Sequence, residues 1–391
     1  MKNKIYIIKN LSPWMMDELL AFSKFSKFRV ILLRRPNFSY ESELMKLEKQ
    51  GIEIYIKPFN FIPNIRKGLF AIRFAFKNLS RFFGVKNFIF GIKSLFWFVF
   101  LKNYLIKDNT SLHAQFATQA SIISVLFKQY HKNVDYSFTF HAHDIYFSNG
   151  WFDLLVNESN CAFSISEYNL NYVKKAFPDA KKHKFLLSRL GVFLPKRFET
   201  RKQKIFTIGF LSWWTEKKGL LVLLQAFDLL IQKQNLQLKL IVAGDGPMRD
   251  RTEKFIKKHN LTPYIKDIGK VFGETKRNFY KNIDVFVLPS IQAKKDMDGI
   301  PVVLMESISY GIPIISTGLS GIPEICRHNY NGLLIKPNDK YSLSKAILKF
   351  YNMKKFQLQE FKHKAVKSSF EYDIVQNSKT KLRMMGWKQT S

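Results

Sequence analysis

The stretch Val285–Glu324, VFVLPSIQAKKDMDGIPVVLMESISYGIPIISTGLSGIPE, constrains the fold more than any other part of the chain. Val285–Leu288 is a short apolar run closed by Pro289 and Ser290, the pattern of a buried parallel strand. A loop with two acids and two lysines follows, and Gly299-Ile300-Pro301 then opens a second apolar segment. Proline sits well at a helix start, where the first N–H groups have no intrahelical partner. The spacing therefore predicts a helix over Pro301–Ser309 whose free N–H groups and positive dipole end face the loop. Such an end suits a phosphate, and Gly299 lets a ligand approach the backbone closely. Ile312–Thr317 is the next buried strand, and a second Gly-Ile-Pro-Glu at 321–324 repeats the helix start. Two acids flank the first helix start: Asp298 just before it and Glu306 two turns in.

At 391 residues with 46% hydrophobic content, the natural expectation is two domains, each with its own core. Cys161 and Cys326 lack any metal spacing and read as buried thiols of a reducing compartment. The N-terminal MKNKIYIIKNLSPW reads as a first strand and not a signal peptide. The formal net charge of +33 fits an anionic partner, yet the chain has no recognised nucleic-acid motif. A lysine-rich background composition and attraction to anionic lipid are the other readings.

Strands at Lys4–Ile8, Arg29–Leu33 and Ile52–Ile56, with helices near Met15–Ser26 and Ser42–Gln50, predict a doubly wound parallel sheet. Asn64–Lys107 holds nine Lys or Arg and no acid. Ile65, Leu69, Ile72, Phe76, Leu79 and Phe83 form one helical stripe, with Arg66, Lys67, Arg73, Lys77 and Arg81 to one side. Two readings stand for this segment. The stripe packs on the core beneath a solvated basic face, or the basic, phenylalanine-bearing face rests on an anionic membrane surface. The run Phe88–Leu101 is too short to cross a bilayer. Tyr136–Phe140 is an alternating strand that runs into His141-Ala142-His143-Asp144. His113 ends another strand and is either structural or directed at a ligand. Ser166 caps a helix, Leu187–Gly191 reads as the last strand of the first domain, and Pro195–Lys204 as a linker. Further on, Ile205–Phe210 is a strand, Leu211–Gly219 a loop, Lys239–Val242 a strand, and Gly244-Asp245-Gly246-Pro247 a tight turn.

Asp298, the Gly-Ile-Pro after it and Glu306 eight residues on resemble the signature of the retaining glycosyltransferases of family 4, notably the bacterial exopolysaccharide, colanic-acid and lipopolysaccharide type. Thr139–Tyr146, Lys218 after the first strand of the second half, and Gly244–Pro247 resemble further landmarks of that family, and the likeness covers nearly the whole chain. It implies an α/β GT-B fold: two Rossmann-like domains facing a cleft, with a C-terminal helix crossing back. On that resemblance, residues 1–196 with 370–391 form the acceptor-binding domain and 197–369 the donor-binding domain.

The resemblance also implies roles. His141 and Asp298 lie at the donor sugar. Lys218 and the helix start at Gly299, Ile300 and Pro301 hold the diphosphate of the donor, Gly244 belongs to a donor-side turn that keeps side chains out of the cleft, and Glu306 binds the ribose. His143 and Asp144 form a polar pair on the acceptor side, with Asp144 orienting an imidazole or meeting the acceptor. Two departures stand out: the first acid is Asp where the family usually has Glu, and Phe210 or Leu211 occupies the usual position of a phosphate-binding Arg. Asp296-Met297-Asp298 also matches an Asp-x-Asp metal pattern, but the position before Gly-Ile-Pro accounts for Asp298 better, and no metal or other cofactor is expected. The expected reaction moves a hexosyl unit from a UDP- or GDP-sugar to a lipid-linked or growing surface polysaccharide or lipopolysaccharide acceptor. It would run in the cytoplasm at the inner face of the membrane, with 64–107 on the lipid and no nucleic-acid partner. A GT-B nucleotide-sugar epimerase and a catalytically weakened nucleotide-sugar-binding protein are the alternatives.

Overall fold

The structure, a computed structural model, describes residues 2–36, 41–60, 62–146, 150–195, 205–233, 236–294 and 296–387. Its contacts divide the chain into two units, Met1–Leu190 with Ile374–Ser391, and Gly191–Asp373. The expected boundary at 196 and, apart from Pro195, the expected linker fall outside the described residues. The chain returns to the first unit at Ile374, where 370 was expected.

The first unit is built on seven strands: β1 (Asn3–Ile8), β2 (Arg29–Leu32), β3 (Glu53–Ile56), β4 (Thr110–Gln115), β5 (Asp135–Phe140), β6 (Cys161–Ser164) and β7 (Phe185–Leu187). They pair in parallel in the order β3-β2-β1-β4-β5-β6-β7. β7 thus ends this sheet before the expected Leu187–Gly191. Every residue of β4 is buried, as a central parallel strand with helices on both faces requires. Alternation along β1 feeds two cores. Ile5 and Ile7 join the cluster under the 65–130 helices, and Tyr6 and Ile8 join Met15, Leu19, Leu382 and Trp387 on the other face. The C-terminal helix Ile374–Met384 is thereby a core element, and the Trp387 indole N–H donates to Ser111 Oγ at 2.7 Å.

The second unit holds β8 (Phe206–Trp213), β9 (Leu238–Asp245), β10 (Ile265–Asp267), β11 (Val285–Leu288), β12 (Ile314–Thr317) and β13 (Gly332–Ile335). Their order is β10-β9-β8-β11-β12-β13, again all parallel. β8 runs on through the first three residues of the expected loop, Leu211 to Trp213, in register with β9 from Phe206↔Leu238 to Trp213↔Asp245. Alternation explains the difference: Trp213 points out and Trp214 is fully buried, its indole N–H donating to Ala243 O at 3.1 Å.

In each sheet the strand order reverses direction once, between β1 and β4 and between β8 and β11. Loops that leave the carboxyl ends of such neighbours diverge and open a ligand crevice. These ends carry the candidate residues.

The segment 64–107 departs from the core-facing reading. Its helix Ile65–Lys77 buries Lys67, Ala71 and Phe74, while the stripe Ile65, Leu69, Ile72 and Phe76 is 55–79% exposed. Lys67, expected on a solvated basic face, is 2% exposed. Its ammonium donates to Leu101 O at 3.1 Å and lies over the rings of Phe98 and Phe127. Burial draws its pKa down to about 8. Among the described residues, no helix is long and apolar enough to cross a membrane.

Candidate active site

In the second unit the site is assembled at the β8–β11 reversal. β8 gives way to Trp214 and Thr215, then a short 3-10 turn, Glu216–Lys218, which Gly219 closes in the left-handed region at φ 69°. A Cβ on Gly219 would stand 1.9 Å from Pro289 O, so only glycine lets this turn close against the end of β11. That closure sets Lys218 beside the acidic loop. Its Nζ donates to Asp298 Oδ1 at 2.7 Å, and Ser290 Oγ donates to Asp298 Oδ2 at 2.7 Å. Lys217 pairs with Asp296 at 3.0 Å and stands 3.8 Å from Asp298. Asp298 is 6% exposed. Burial opposes its ionisation, but Lys218, Lys217 and Ser290 outweigh it and hold the carboxyl below its ordinary value.

Ile300 and Pro301 are buried behind Asp298, and Gly299 is half-buried. The helix itself is Val302–Ser309, with Pro301 as its extended N-cap. Two lysines, an ionised carboxylate and a helix N-terminus thus converge where two parallel strands diverge, an arrangement suited to an anionic ligand. Glu306 lies further along this helix. Its Oε1 accepts from Lys276 Nζ at 2.5 Å and its Oε2 from the Tyr280 hydroxyl at 2.7 Å. Lys276 and Tyr280 were not singled out from the sequence. Their four-residue spacing on one helix, Gly273–Lys281, was the available signal.

Gly244 closes β9 at φ 116°, and a Cβ there would stand 1.8 Å from Ser212 O. Close approach of the β8 and β9 ends therefore demands this glycine on its own account. Beside it, the guanidinium of Arg249 stacks on Trp214 at 4.5 Å and pairs with Asp245, Glu253 and Asp267.

In the first unit His141 follows β5 directly. Its ring is buried between Trp14 and Phe116, and its Nε2 lies 3.1 Å from Gln115 Nε2. Burial, aided by the charge of Lys381, draws its pKa down to about 3, so the imidazole is neutral at pH 7. Gln115, at the end of β4, is joined through Oε1 to Tyr6 Oη at 2.9 Å. The Tyr6 hydroxyl, which has one hydrogen to share between the two, also contacts Glu18, and Glu18 pairs with Lys381 at 2.7 Å. A continuous buried chain thus runs from the C-terminal helix to His141, through residues the sequence reading did not select. His113, by contrast, is wholly buried, with Nδ1 2.9 Å from Ser137 Oγ and Nε2 3.1 Å from Thr139 Oγ1. It is structural.

Asp144 corrects the expectation of a polar pair with His143. His143 is exposed, while Asp144 is 3% exposed and faces backbone. Its Oδ2 accepts from the N–H groups of His141 and Ala117 at 2.9 and 3.1 Å, and its Oδ1 has no hydrogen-bond partner. It orients no imidazole; it ties the β5 exit to the β4 exit. Burial pushes its pKa up to about 7 against the pull of those two donors. Between about pH 4 and pH 7 the folded chain therefore holds a proton that the unfolded chain has lost, and stability falls as pH rises. Asp144→Asn, which stays neutral, is expected to flatten that decline; urea midpoints at pH 4.5 and 7.5 check it.

Among the described residues no group of three or more His, Cys, Asp or Glu is placed to hold a metal ion.

Two parallel sheets, each reversing its strand order once, define an α/β protein of the GT-B fold. Residues 194–368 match the family described as glycosyl transferases group 1. The chain is 34% identical over 174 residues to the putative colanic acid biosynthesis glycosyltransferase WcaL of Escherichia coli, covering 43% of this chain and 42% of that protein. It is 35% identical over 136 residues to the amylovoran biosynthesis glycosyltransferase AmsK of Erwinia amylovora, covering 34% of this chain and 33% of that one. The alignments thus span well under half the length of these relatives. Among solved structures, a glycosyltransferase from Rickettsia africae superposes with TM-score 0.72 at 15% identity over 98% of both chains. HepE of Anabaena, solved with UDP and glucose, superposes with TM-score 0.71 at 15% identity over 99% of this chain and 100% of that one.

Proposed function

We propose that the chain is a retaining glycosyltransferase of polysaccharide biosynthesis that moves a hexosyl unit from a UDP- or GDP-sugar to a lipid-linked or growing polysaccharide acceptor. The observation that carries this is the Lys218–Asp298 pair beside the Gly-Ile-Pro helix start, inside the group 1 domain. The leaving group of such a transfer is a nucleoside diphosphate, whose growing charge needs fixed positive partners. Lys218, Lys217 and the helix N-terminus supply them, without calling on a metal. Glu306 is assigned to the ribose hydroxyls, and Asp298 to the hydroxyls of the donor sugar. In the transfer the bond from the anomeric carbon to the diphosphate oxygen breaks and a bond to the acceptor oxygen forms on the same face. The acceptor's proton passes to the departing phosphate oxygen. HepE, solved with UDP and glucose, and the polysaccharide biosynthesis proteins among the relatives support this reading of donor and product. We place the enzyme in the cytoplasm at the inner face of the membrane, because 64–107 is basic, acid-free and apolar at its surface.

The test is release of nucleoside diphosphate from a panel of UDP-, GDP- and ADP-sugars, with and without bacterial membrane lipid. Release from one donor, raised by the lipid fraction, is the expected result. Binding without turnover of any donor overturns it in favour of a nucleotide-sugar-binding protein, and acceptor-independent conversion to another nucleotide-sugar favours an epimerase.

A further inference from the structure

The helix Ile65–Lys77 turns its apolar stripe away from the core, and the helix Val85–Phe100 does the same. The second helix buries Gly91, Ser94, Trp97 and Phe98, while Phe88, Ile89, Ile92 and Phe96 are 40–53% exposed. Between the two helices lies a groove of about 550 Å³, lined among others by Gly68, Ile72, Phe76, Ile92 and Phe96 and by no polar residue. That volume falls within the range of small-molecule sites. A contiguous apolar surface of this kind marks an interaction site.

Gly68 adds a second observation. Mid-helix glycine is about 1 kcal/mol less favourable than alanine. Here a Cβ would meet nothing within 4 Å, so the chain's own packing does not require glycine. The missing side chain is what keeps the floor of the groove open.

Charge selects the occupant. Arg66, Arg73, Lys77, Lys86 and Lys93 are exposed around the apolar surface, and 64–107 contains no acid. A second copy of the chain would bring the same basic rim against itself, which repels. An extended peptide would find no hydrogen-bonding partner in an apolar lining. An anionic phospholipid satisfies both features, its head group meeting the rim and its hydrocarbon the groove. We propose that the groove between these two helices receives an acyl chain of an anionic bilayer lipid. This deepens, and rests on, the membrane placement of the chain, and it is independent of the transferase chemistry.

Gly68→Leu fills the groove with a side chain that has room to enter and favours the helix. If the surface merely lies on the bilayer, an added leucine leaves partitioning unchanged or strengthens it. If the groove takes an acyl chain, the variant loses that site. The experiment incubates the full chain with phosphatidylcholine vesicles containing 30 mol% phosphatidylglycerol (about that share), a trace of it carrying a diazirine in its acyl chain. Wild type is expected to sediment with the vesicles and to crosslink at peptides containing Ile72 and Ile92. Gly68→Leu is expected to weaken sedimentation by about tenfold and to abolish those crosslinks, with an unchanged circular dichroism melt. Arg73→Glu/Lys77→Glu is the control for the rim. Loss of binding in that variant together with undiminished binding and crosslinking in Gly68→Leu overturns the groove and leaves the membrane placement standing. Failure of wild type to bind overturns both, while donor turnover in solution still reports on the transferase reading. A dimer seen by light scattering and split by Gly68→Leu overturns the lipid in favour of a second copy.

Discussion

Replacing Lys381 with methionine is expected to destabilise the first unit by about 3–5 kcal/mol, the usual consequence of leaving one partner of a buried ion pair uncompensated. Lys381 is 2% exposed and Glu18 6%, and their contact at 2.7 Å joins the C-terminal helix Ile374–Met384 to the helix Pro13–Ser23. Without the ammonium, the Glu18 carboxylate is left with the Tyr6 hydroxyl beside it. The double variant Lys381→Met/Glu18→Leu removes both charges and fills the space with apolar atoms, so it is expected to recover most of the loss. Because a protein of two units need not unfold in one step, the readout is hydrogen exchange of β1 and β4 amides alongside urea denaturation. A double variant no more stable than Lys381→Met would show that the pair is uncoupled and would sink the argument. The chain Lys381–Glu18–Tyr6–Gln115–His141 gives a second readout. Breaking its first link is expected to shift the ring-nitrogen resonances of His141, whose ring lies at the other end of that chain.

What could be read from the sequence follows from the range of the forces involved. Val285–Leu288 was legible because four apolar residues closed by proline leave little besides a buried strand, and the structure has it at those residues. The Gly-Ile-Pro helix start was legible for the same local reason. The stripe Ile65–Phe76 was legible as periodic, but which way it turns was left between two readings. A period of 3.6 identifies a face without saying which way it turns, and here Lys67, Ala71 and Phe74 face inward. Net charge could not settle that either, since the lysine that looked solvated is the one packed between two phenylalanine rings. The partners of His141 were out of reach for a different reason. Tyr6, Gln115 and His141 come together only because the sheet order sets β1, β4 and β5 side by side, and Lys381 arrives from the far end of the chain. Glu306 was singled out by its resemblance to the family signature, while Lys276 and Tyr280, which hold it, sit on the preceding helix.

Those two residues make Glu306→Ala the sharpest test of the donor site. The carboxylate accepts one bond at each oxygen, from Lys276 and from Tyr280, and each oxygen keeps a further lone pair for a ligand hydroxyl. Its rotamer is thus fixed before any ligand arrives, which spares the ordering cost of binding. Two hydrogen bonds from ribose hydroxyls to a carboxylate are worth about 1.5–3 kcal/mol each. Glu306→Ala is therefore expected to weaken nucleoside diphosphate binding by at least about 100-fold, measured by calorimetry with UDP and GDP in parallel. Glu306→Gln keeps one good acceptor and is expected to lose about tenfold. Truncation also leaves the buried Tyr280 hydroxyl with only the long contact to Val303 O at 3.4 Å, a second source of loss through local collapse. Glu306→Ala/Tyr280→Phe separates the two, because it removes that hydroxyl along with the carboxylate. Weak binding by the double variant as well as by Glu306→Ala assigns the loss to the missing carboxylate. Equal, undiminished affinity in Glu306→Ala would mean that the ribose lies elsewhere and that Lys276, Tyr280 and Glu306 only tie two helices together.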